Sequence, residues 1–244
     1  MNEIDNRVIV VIPTYNERKT LPGLLGYLFD TVAECDVLVV DDASPDGTGE
    51  WASEYAQRQS RLHVLHRPAK SGLASAYIDG FRWCLDRGYT HLVEMDADGS
   101  HRVTDLRAMI DRACQLDGPD LVIGSRWIPG GKTQGWAPHR IALSKLGNLY
   151  IRLMLNLKVA DATAGFRVYR ADFVRRMPLD DIQSAGYGFQ VEMTRMVASL
   201  NGKIVEVPIV FLERRAGDSK MSGAIIIEEL VHVTRWGIER VLRR

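Results

Sequence analysis

Residues 37–48 read VLVVDDASPDGT and residues 91–101 read HLVEMDADGSH. Each is a short apolar run that ends abruptly in carboxylates, Asp41-Asp42 in the first and Asp96 with Asp98 in the second. A β-branched run bounded by turn residues reads as a buried strand. Carboxylates where such a strand stops stand at the carboxyl edge of an open α/β sheet, in the crevice where these sheets take nucleotides. Asp96 and Asp98, one residue apart, are spaced to share a hard divalent cation, which is what a diphosphate needs to be held and to leave.

Outward from these two stretches the same unit repeats. Residues 8–12 (VIVVI) read as a strand closed by Pro13, followed by a helix carrying Leu21, Leu24, Leu25, Leu28, Phe29 and Val32 on one side. After 37–40 come a Pro45-Asp46-Gly47 turn and a helix with Trp51 and Tyr55. Residues 62–66 (LHVLH) precede Gly72 and a helix with Leu73, Tyr77, Phe81 and Leu85. Residues 91–95 lead through Asp96 and Asp98 to a helix using Leu106, Met109, Ile110 and Ala113. Strands alternating with helices over short connections predict right-handed crossovers and a mostly parallel sheet flanked by helices.

The second half is less regular. Residues 121–123 form a strand ending in Gly124-Ser125-Arg126, and residues 127–140 (WIPGGKTQGWAPHR) read as a long mobile loop of the functional kind. Leu146, Leu149, Tyr150, Leu153, Met154 and Leu157 make an apolar helical stripe with Lys145, Arg152 and Lys158 around it. Residues 203–211 (KIVEVPIVF) read as a late strand whose Pro208 argues for an edge or a bulge. A basic turn and a last helix follow, with Ile227, Leu230, Val231, Thr234, Ile238, Val241 and Leu242 along one side. The expected organisation is a single α/β domain over residues 1–222, with 223–244 as an amphipathic basic helix that belongs to it or contacts a membrane surface.

Composition narrows the function. With 244 residues, 46% apolar and 25% charged, the chain is long enough for a large core. Its 31 acidic and 31 basic residues cancel, so nucleic acid is not an expected partner. Cys35, Cys84 and Cys114 form no CxxC pair and read as small core residues, as in a reducing compartment. The six histidines show no zinc spacing. The first residues, MNEIDNR, lack the apolar core of a signal peptide, and no uncharged stretch approaches the ~20 residues of a membrane span. The expected location is the cytoplasm.

IPTYNE (12–17), VVDDASPDGT (39–48), MDAD (95–98), GSRW (124–127), DATAGFRVYR (161–170) and the basic turn RRAGDSK (214–220) occur in order. Together they resemble the family 2 glycosyltransferases of the GT-A fold, in particular the dolichol-phosphate mannosyltransferases, or polyprenol monophosphomannose synthases. The likeness runs from about residue 8 to 222 and is far more specific than a lone DxD. It implies transfer of mannose from GDP-mannose to a polyprenyl phosphate, with inversion and with Mg2+ or Mn2+. By the resemblance, Pro13, Tyr15, Glu17, Val40, Asp41 and Asp42 hold the nucleoside, Asp96, Ala97 and Asp98 the diphosphate and metal, and Arg214 and Lys220 close on the donor phosphates. Arg126, Arg140 and Ser144 grip the acceptor phosphate, so that Asp96, Asp98 and Arg126 form the catalytic set. Asp161, Gly165, Phe166 and Arg167, with Gln190 and Glu192, either shape the mannose pocket or pack and pair. One departure stands out: relatives read DADLQH, whereas this chain reads DADGSH. Ser100 replaces the glutamine that assists the metal, unless Gly99-Ser100 simply eases a turn.

A phosphate monoester, with its second pKa at roughly 6, is already ionised near neutral pH, so the acceptor needs no catalytic base. It needs cations, because two anionic reactants must approach each other, and bidentate arginines suit that task. A polyprenyl tail stays in the bilayer, so the chain is expected at the cytoplasmic membrane face as a peripheral protein, held there by the 146–157 stripe or by the terminal helix with Arg235, Arg240, Arg243 and Arg244. A separate membrane-anchoring subunit, a longer parent protein and a complete peripheral enzyme all fit the residues. The rival activities are a sister enzyme using UDP-glucose or another UDP-sugar, and a non-catalytic nucleotide-binding scaffold.

Overall fold

The computed structural model describes residues 6–184, 187–213 and 223–242. Its first half is the predicted alternation: β1 (Val8–Thr14), α1 (Leu21–Thr31), β2 (Cys35–Asp41), α2 (Thr48–Ala56), β3 (Leu62–His66), α3 (Leu73–Asp86), β4 (His91–Glu94) and α4 (Val103–Ala113). Ile9 and Val11 of β1, with Leu38 and Val40 of β2, point to one core; Val8, Val10 and Ile12, with Val37 and Val39, point to the other. This is the period-two alternation of a sheet covered on both faces, where each strand reads as a continuous apolar run.

The second half holds β5 (Leu121–Ser125), β6 (Lys132–Gln134), α5 (Pro138–Leu155), β7 (Arg167–Arg170), the single-turn α6 (Ala171–Val174), a 3-10 turn (Leu179–Asp181), α7 (Tyr187–Ser199), β8 (Ile204–Pro208), β9 (Val210–Leu212) and α8 (Gly223–Leu242). The main sheet has the order β3-β2-β1-β4-β7-β5-β8, all parallel except β7, which runs antiparallel to both β4 and β5. One core lies under α3, α5, α7 and α8, and the other under α1, α2 and α4. α5 and α8 pack side by side through a Tyr150–Thr234 hydroxyl contact of 2.6 Å and the backbone of Gly237 beside Met154.

Four readings need correction. β1 continues through Pro13 to Thr14, because β1 still pairs with β2 as far as Thr14 opposite Asp41. Residues 127–140 are not one uninterrupted loop: β6 pairs in parallel with β9 as a second, two-stranded sheet, and α5 already begins at Pro138. The run 203–211 serves two sheets, β8 forming the edge expected from Pro208 and β9 leaving it to join β6. β7 was missed, since RVYR offers four residues with arginine at both ends and no apolar run to betray a strand.

Candidate active site

The chain leaves β1 toward β2 and β3 and then returns to the other side of β1 as β4. The sheet's order therefore switches between β1 and β4, and the crevice opens at their carboxyl ends. Residues 15–17 follow β1, Asp42 follows β2, and residues 96–101 follow β4, so the carboxylates read from the sequence do converge there.

Around the first two strand ends, Asn16 and Ala43 take left-handed backbone conformations (φ 62° and 54°). Non-glycine residues in that region are strained, and such strain gathers at functional turns. Hydrogen bonds hold the turns in place: Asn16 N–H donates to Ser44 Oγ (3.1 Å) and Glu17 N–H to Thr48 Oγ1 (3.0 Å). Asp41 accepts from the Thr14 hydroxyl (2.9 Å), the Ser44 hydroxyl (2.6 Å) and the Ser44 N–H (3.0 Å). Asp42 pairs with Arg67, which also meets Asp79 at 2.9 Å. Glu17 accepts from the Thr20 hydroxyl at 2.7 Å. Tyr15 carries the Lys70 ammonium 3.8 Å from its ring centre. The Val40 side chain is wholly in the core, so any contact it makes with a ligand runs through its backbone.

The loop after β4 is bound from three sides. Asp96 N–H donates to His101 Nδ1 (3.2 Å), which leaves the ring proton on Nε2. The His101 ring lies flat on Phe166, with centroids 4.7 Å apart. The Tyr77 hydroxyl donates to Asp96 Oδ1 at 3.4 Å. Asp98 Oδ1 accepts the Ser100 N–H at 2.9 Å, across a turn in which Gly99 takes φ 76°. The Ser100 hydroxyl is fully buried and has no hydrogen-bond partner among the described residues. Two carboxylates and an orphaned hydroxyl make an all-oxygen donor set, the kind that suits Mg2+ or Mn2+. No group of three or more His, Cys, Asp or Glu among the described residues could hold a metal unaided. The set therefore fits an ion whose shell is completed by substrate phosphate and water, as Mg2+ sites commonly are. Glu94 lies fully buried beneath this loop; burial, opposed by the Arg167 guanidinium, pushes its pKa up to about 7.

Arg126 directly follows β5. It is buried, and its guanidinium is forked onto Asp161: Nε donates to Oδ2 and Nη2 to Oδ1, both at 2.7 Å, while the Arg126 N–H also reaches Oδ2 at 2.9 Å. Asp161 is itself fully buried, and its N–H donates to Glu206. The rings of Trp127, Trp136 and Phe211 surround the Arg126 guanidinium at 5.3, 5.4 and 5.5 Å. Arg140 lies 3.9 Å above Trp136, and Lys145 5.2 Å from Trp127. Ser144 sits one helical turn beyond Arg140, with its carbonyl accepting from Asn148 at 3.0 Å. Asp161 thus pairs, one of the two alternatives given for it, but sequence reading did not name Arg126 as its partner and missed this aromatic cage, for which two tryptophans within ten residues were the available signal. Arg214 and Lys220 lie outside the described residues.

β9 joins the two halves of the site. Leu212 N–H donates to the Ser100 carbonyl (2.9 Å), Phe211 bridges to His101, and Glu213 N–H donates to the Gln134 carbonyl (2.9 Å). The acidic loop and the cationic cage thus share one short strand.

Residues 9–177 match the family model described as Glycosyl transferase family 2. The chain is 56% identical over 232 residues to the undecaprenyl-phosphate mannosyltransferase of Micrococcus luteus, covering 95% of this chain and 94% of that protein. It is 46% identical over 239 residues to the polyprenol monophosphomannose synthase of Mycolicibacterium smegmatis, covering 98% and 89%. The fold resembles that of the mannosyltransferase PcManGT from Pyrobaculum calidifontis, solved with GDP-Man and Mn2+, with a TM-score of 0.59 at 17% identity over 98% of this chain and 64% of that one.

Proposed function

Since the chain belongs to glycosyltransferase family 2 and has the GT-A fold, we propose that it transfers mannose from GDP-mannose to a polyprenyl phosphate, with inversion at the anomeric carbon. The observation that carries this reading is the juxtaposition made by β9. A carboxylate loop suited to a metal-bound diphosphate meets a buried, aromatic-walled arginine group suited to a second anion. The names of the two relatives support the sugar and the acceptor class, and the fold neighbour supports the donor.

In this reading Tyr15, Lys70 and the turns around Asp41 and Asp42 receive the nucleoside. Asp41 already accepts three hydrogen bonds, so about one of the four lone-pair positions of a carboxylate is left for a base N–H. Asp96 and Asp98, with the Ser100 hydroxyl beside them, would hold Mg2+ or Mn2+ with the diphosphate; when bound, such an ion neutralises charge on the departing GDP. Arg126, Arg140 and Ser144 hold the acceptor phosphate against the opposite face of the sugar. A phosphate oxygen forms the new bond to the anomeric carbon as the bond to the β-phosphate of GDP breaks, and no side chain takes a proton. Asp161 takes the Nε/Nη2 edge of the Arg126 guanidinium, which fixes its direction and leaves Nη1 for the acceptor. Arg214 and Lys220 are assigned to the donor phosphates, and 1–222 to the catalytic domain.

The acceptor's lipid accounts for an otherwise costly surface. α5 exposes Leu146, Leu149 and Leu153 (65%), and α8 exposes Leu230, Val231, Ile238 and Val241 (62%), with Lys145, Arg152 and Arg235 among them. The terminal-helix stripe read from the sequence is thus largely outside the core, which Val233 and Trp236 face instead. No described helix is long and apolar enough to cross a membrane. Paired apolar stripes with basic residues suit the interface of an anionic leaflet. Leu146→Glu with Leu153→Glu is expected to cut binding to phosphatidylglycerol vesicles by at least about tenfold, given roughly 1.5–3 kcal/mol per buried leucine. Sedimentation with vesicles reads this, and unchanged binding rejects the surface.

A panel of labelled nucleotide sugars, each with and without polyprenyl phosphate, tests the activity. Product is expected only from GDP-mannose with the lipid and a divalent ion. Preference for UDP-glucose would favour the sister enzyme; donor binding without lipid-dependent product would favour the scaffold. Arg140→Ala removes a partly exposed cation whose protein partner, Glu213, is a loose 3.8 Å away, so stability should hardly change. Its acceptor KM should rise roughly 10–100-fold, the worth of a charge-assisted hydrogen bond, with the donor KM unaltered. An unchanged acceptor KM would remove Arg140 from the site.

A further inference from the structure

Gln190 stands in the first turns of α7 with its side chain only 3% exposed, and its Oε1 has no hydrogen-bond donor among the described residues. An acceptor buried without a donor is costly, and in a native protein it calls for a ligand or a water to complete it. The space beside Gln190 is marked by Gly165. A methyl group there would stand 3.7 Å from Gln190 Nε2, 3.9 Å from Asp96 Oδ2 and 4.0 Å from His101 Cε1, with nothing nearer. The missing side chain leaves a small concavity with the Asp96 carboxylate on one wall and the Gln190 amide on another.

These walls are firmly held. Phe189 stacks on Tyr77 with ring centres 6.0 Å apart and planes 4° from parallel, and the Tyr77 hydroxyl donates to Asp96. Behind the loop, Arg167 is fully buried and donates to the carbonyls of Ala162 and Ala164 at 2.7 Å, which fixes the segment that carries Gly165. With a diphosphate at Asp96 and Asp98, the hexose of the donor lies one bond further on. Diphosphate oxygens at this pH only accept hydrogen bonds, whereas hexose hydroxyls also donate. The Gln190 amide N–H already serves the buried Glu94 carboxylate, so Oε1, the end without a partner, is the atom left to accept from a hexose hydroxyl. A carboxylate in its place would add a negative charge beside Asp96 and Glu94; the neutral amide does not.

We propose that Gln190 is a donor-specificity residue whose side-chain amide hydrogen-bonds a hydroxyl of the hexose being transferred. This rests on the glycosyl-transfer reading above and names the group that recognises the sugar. A site built to hydrogen-bond a substrate hydroxyl discriminates strongly against the analogue lacking it, because the buried partner is then stranded.

The test is a cycle of Gln190→Met, which keeps length and removes the amide, against GDP-mannose and its singly deoxygenated analogues. Gln190→Met is expected to lower kcat/KM for GDP-mannose about 10–100-fold, with GDP affinity by calorimetry and the acceptor KM within about twofold of the wild type. One deoxy analogue should cost the wild type a similar factor and cost Gln190→Met nothing further. Equal penalties for every analogue in both proteins, GDP affinity falling together with rate, or an unchanged kcat/KM would overturn the assignment. Gln190→Asn, which retains the amide one methylene short, repeats the cycle if the methionine variant melts early. Should the wild type prefer another nucleotide hexose, the activity reading fails, while the same cycle on that hexose still decides the role of Gln190.

Discussion

Asp98→Ala is expected to lower mannosyl transfer by about 10³-fold or more, the several kcal/mol by which a bound cation stabilises charge on a leaving diphosphate, at 1.36 kcal/mol per tenfold. Asp98 follows the end of β4 at the β1/β4 crevice, and its Oδ1 accepts the Ser100 N–H at 2.9 Å. The residue lies in the loop beyond β4 and outside the core strands, so the melting temperature should fall by no more than a few degrees. Asp98→Asn keeps the shape and that hydrogen bond while losing the charge, and should be nearly as inactive. A readout independent of turnover is the Mn2+ dependence of GDP binding by calorimetry, which should be present in the wild type and lost in both variants. Transfer within tenfold of the wild type, or transfer by the wild type that ignores chelators, would dismiss the paired-carboxylate account.

Asp161→Ala should damage both folding and acceptor use. The variant strands the Arg126 guanidinium in a buried setting, and breaking one side of such a pair costs roughly 3–5 kcal/mol. For a chain of this size that corresponds to a melting temperature lower by roughly 10 °C. Arg126 would also lose the fork that aims it, so kcat/KM for the polyprenyl phosphate should fall at least about 10²-fold, by analogy with the cost of a misplaced positioning group. The same bond makes Arg126→Ala an unclean probe of the acceptor, because it buries the Asp161 carboxylate alone. Arg126→Lys is the better companion: it retains a cation but cannot form the fork. An Asp161→Ala protein with wild-type melting and wild-type acceptor kinetics would show that the pair neither stabilises nor orients.

The expectations that held rest on periodicity and on strand ends. The apolar runs at 8–12, 37–40, 62–66 and 91–95 became β1 to β4, because a strand covered on both faces has no choice but to be apolar throughout. The amphipathic helices between them followed for the same reason. β7 escaped because Arg167 is buried by hydrogen bonds to the Ala162 and Ala164 carbonyls, to Tyr169 and to Thr194, and a charge satisfied in this way leaves no apolar mark. β6 and β9, three residues each, are stabilised by each other across more than seventy residues of chain, which no local window can detect.

The carboxylate clusters and Arg126 were picked out by residue type, because the proposed hard-cation and anion chemistry restricts which side chains can serve. Local order along the chain placed Asp41, Asp42, Asp96 and Asp98 at strand ends, and the switch between β1 and β4 then brought them to one crevice. Which partner each charged group would find was another matter. Arg126 meets Asp161, Asp42 meets Arg67, and Asp96 meets Tyr77 through packing of elements separated in sequence. Residue types and their period are written locally, so alternation and strand ends can be read one segment at a time. Hydrogen-bond partners, burial of a charge and the strand tying the acidic loop to the arginine cage arise only once the backbone closes on itself and excludes water.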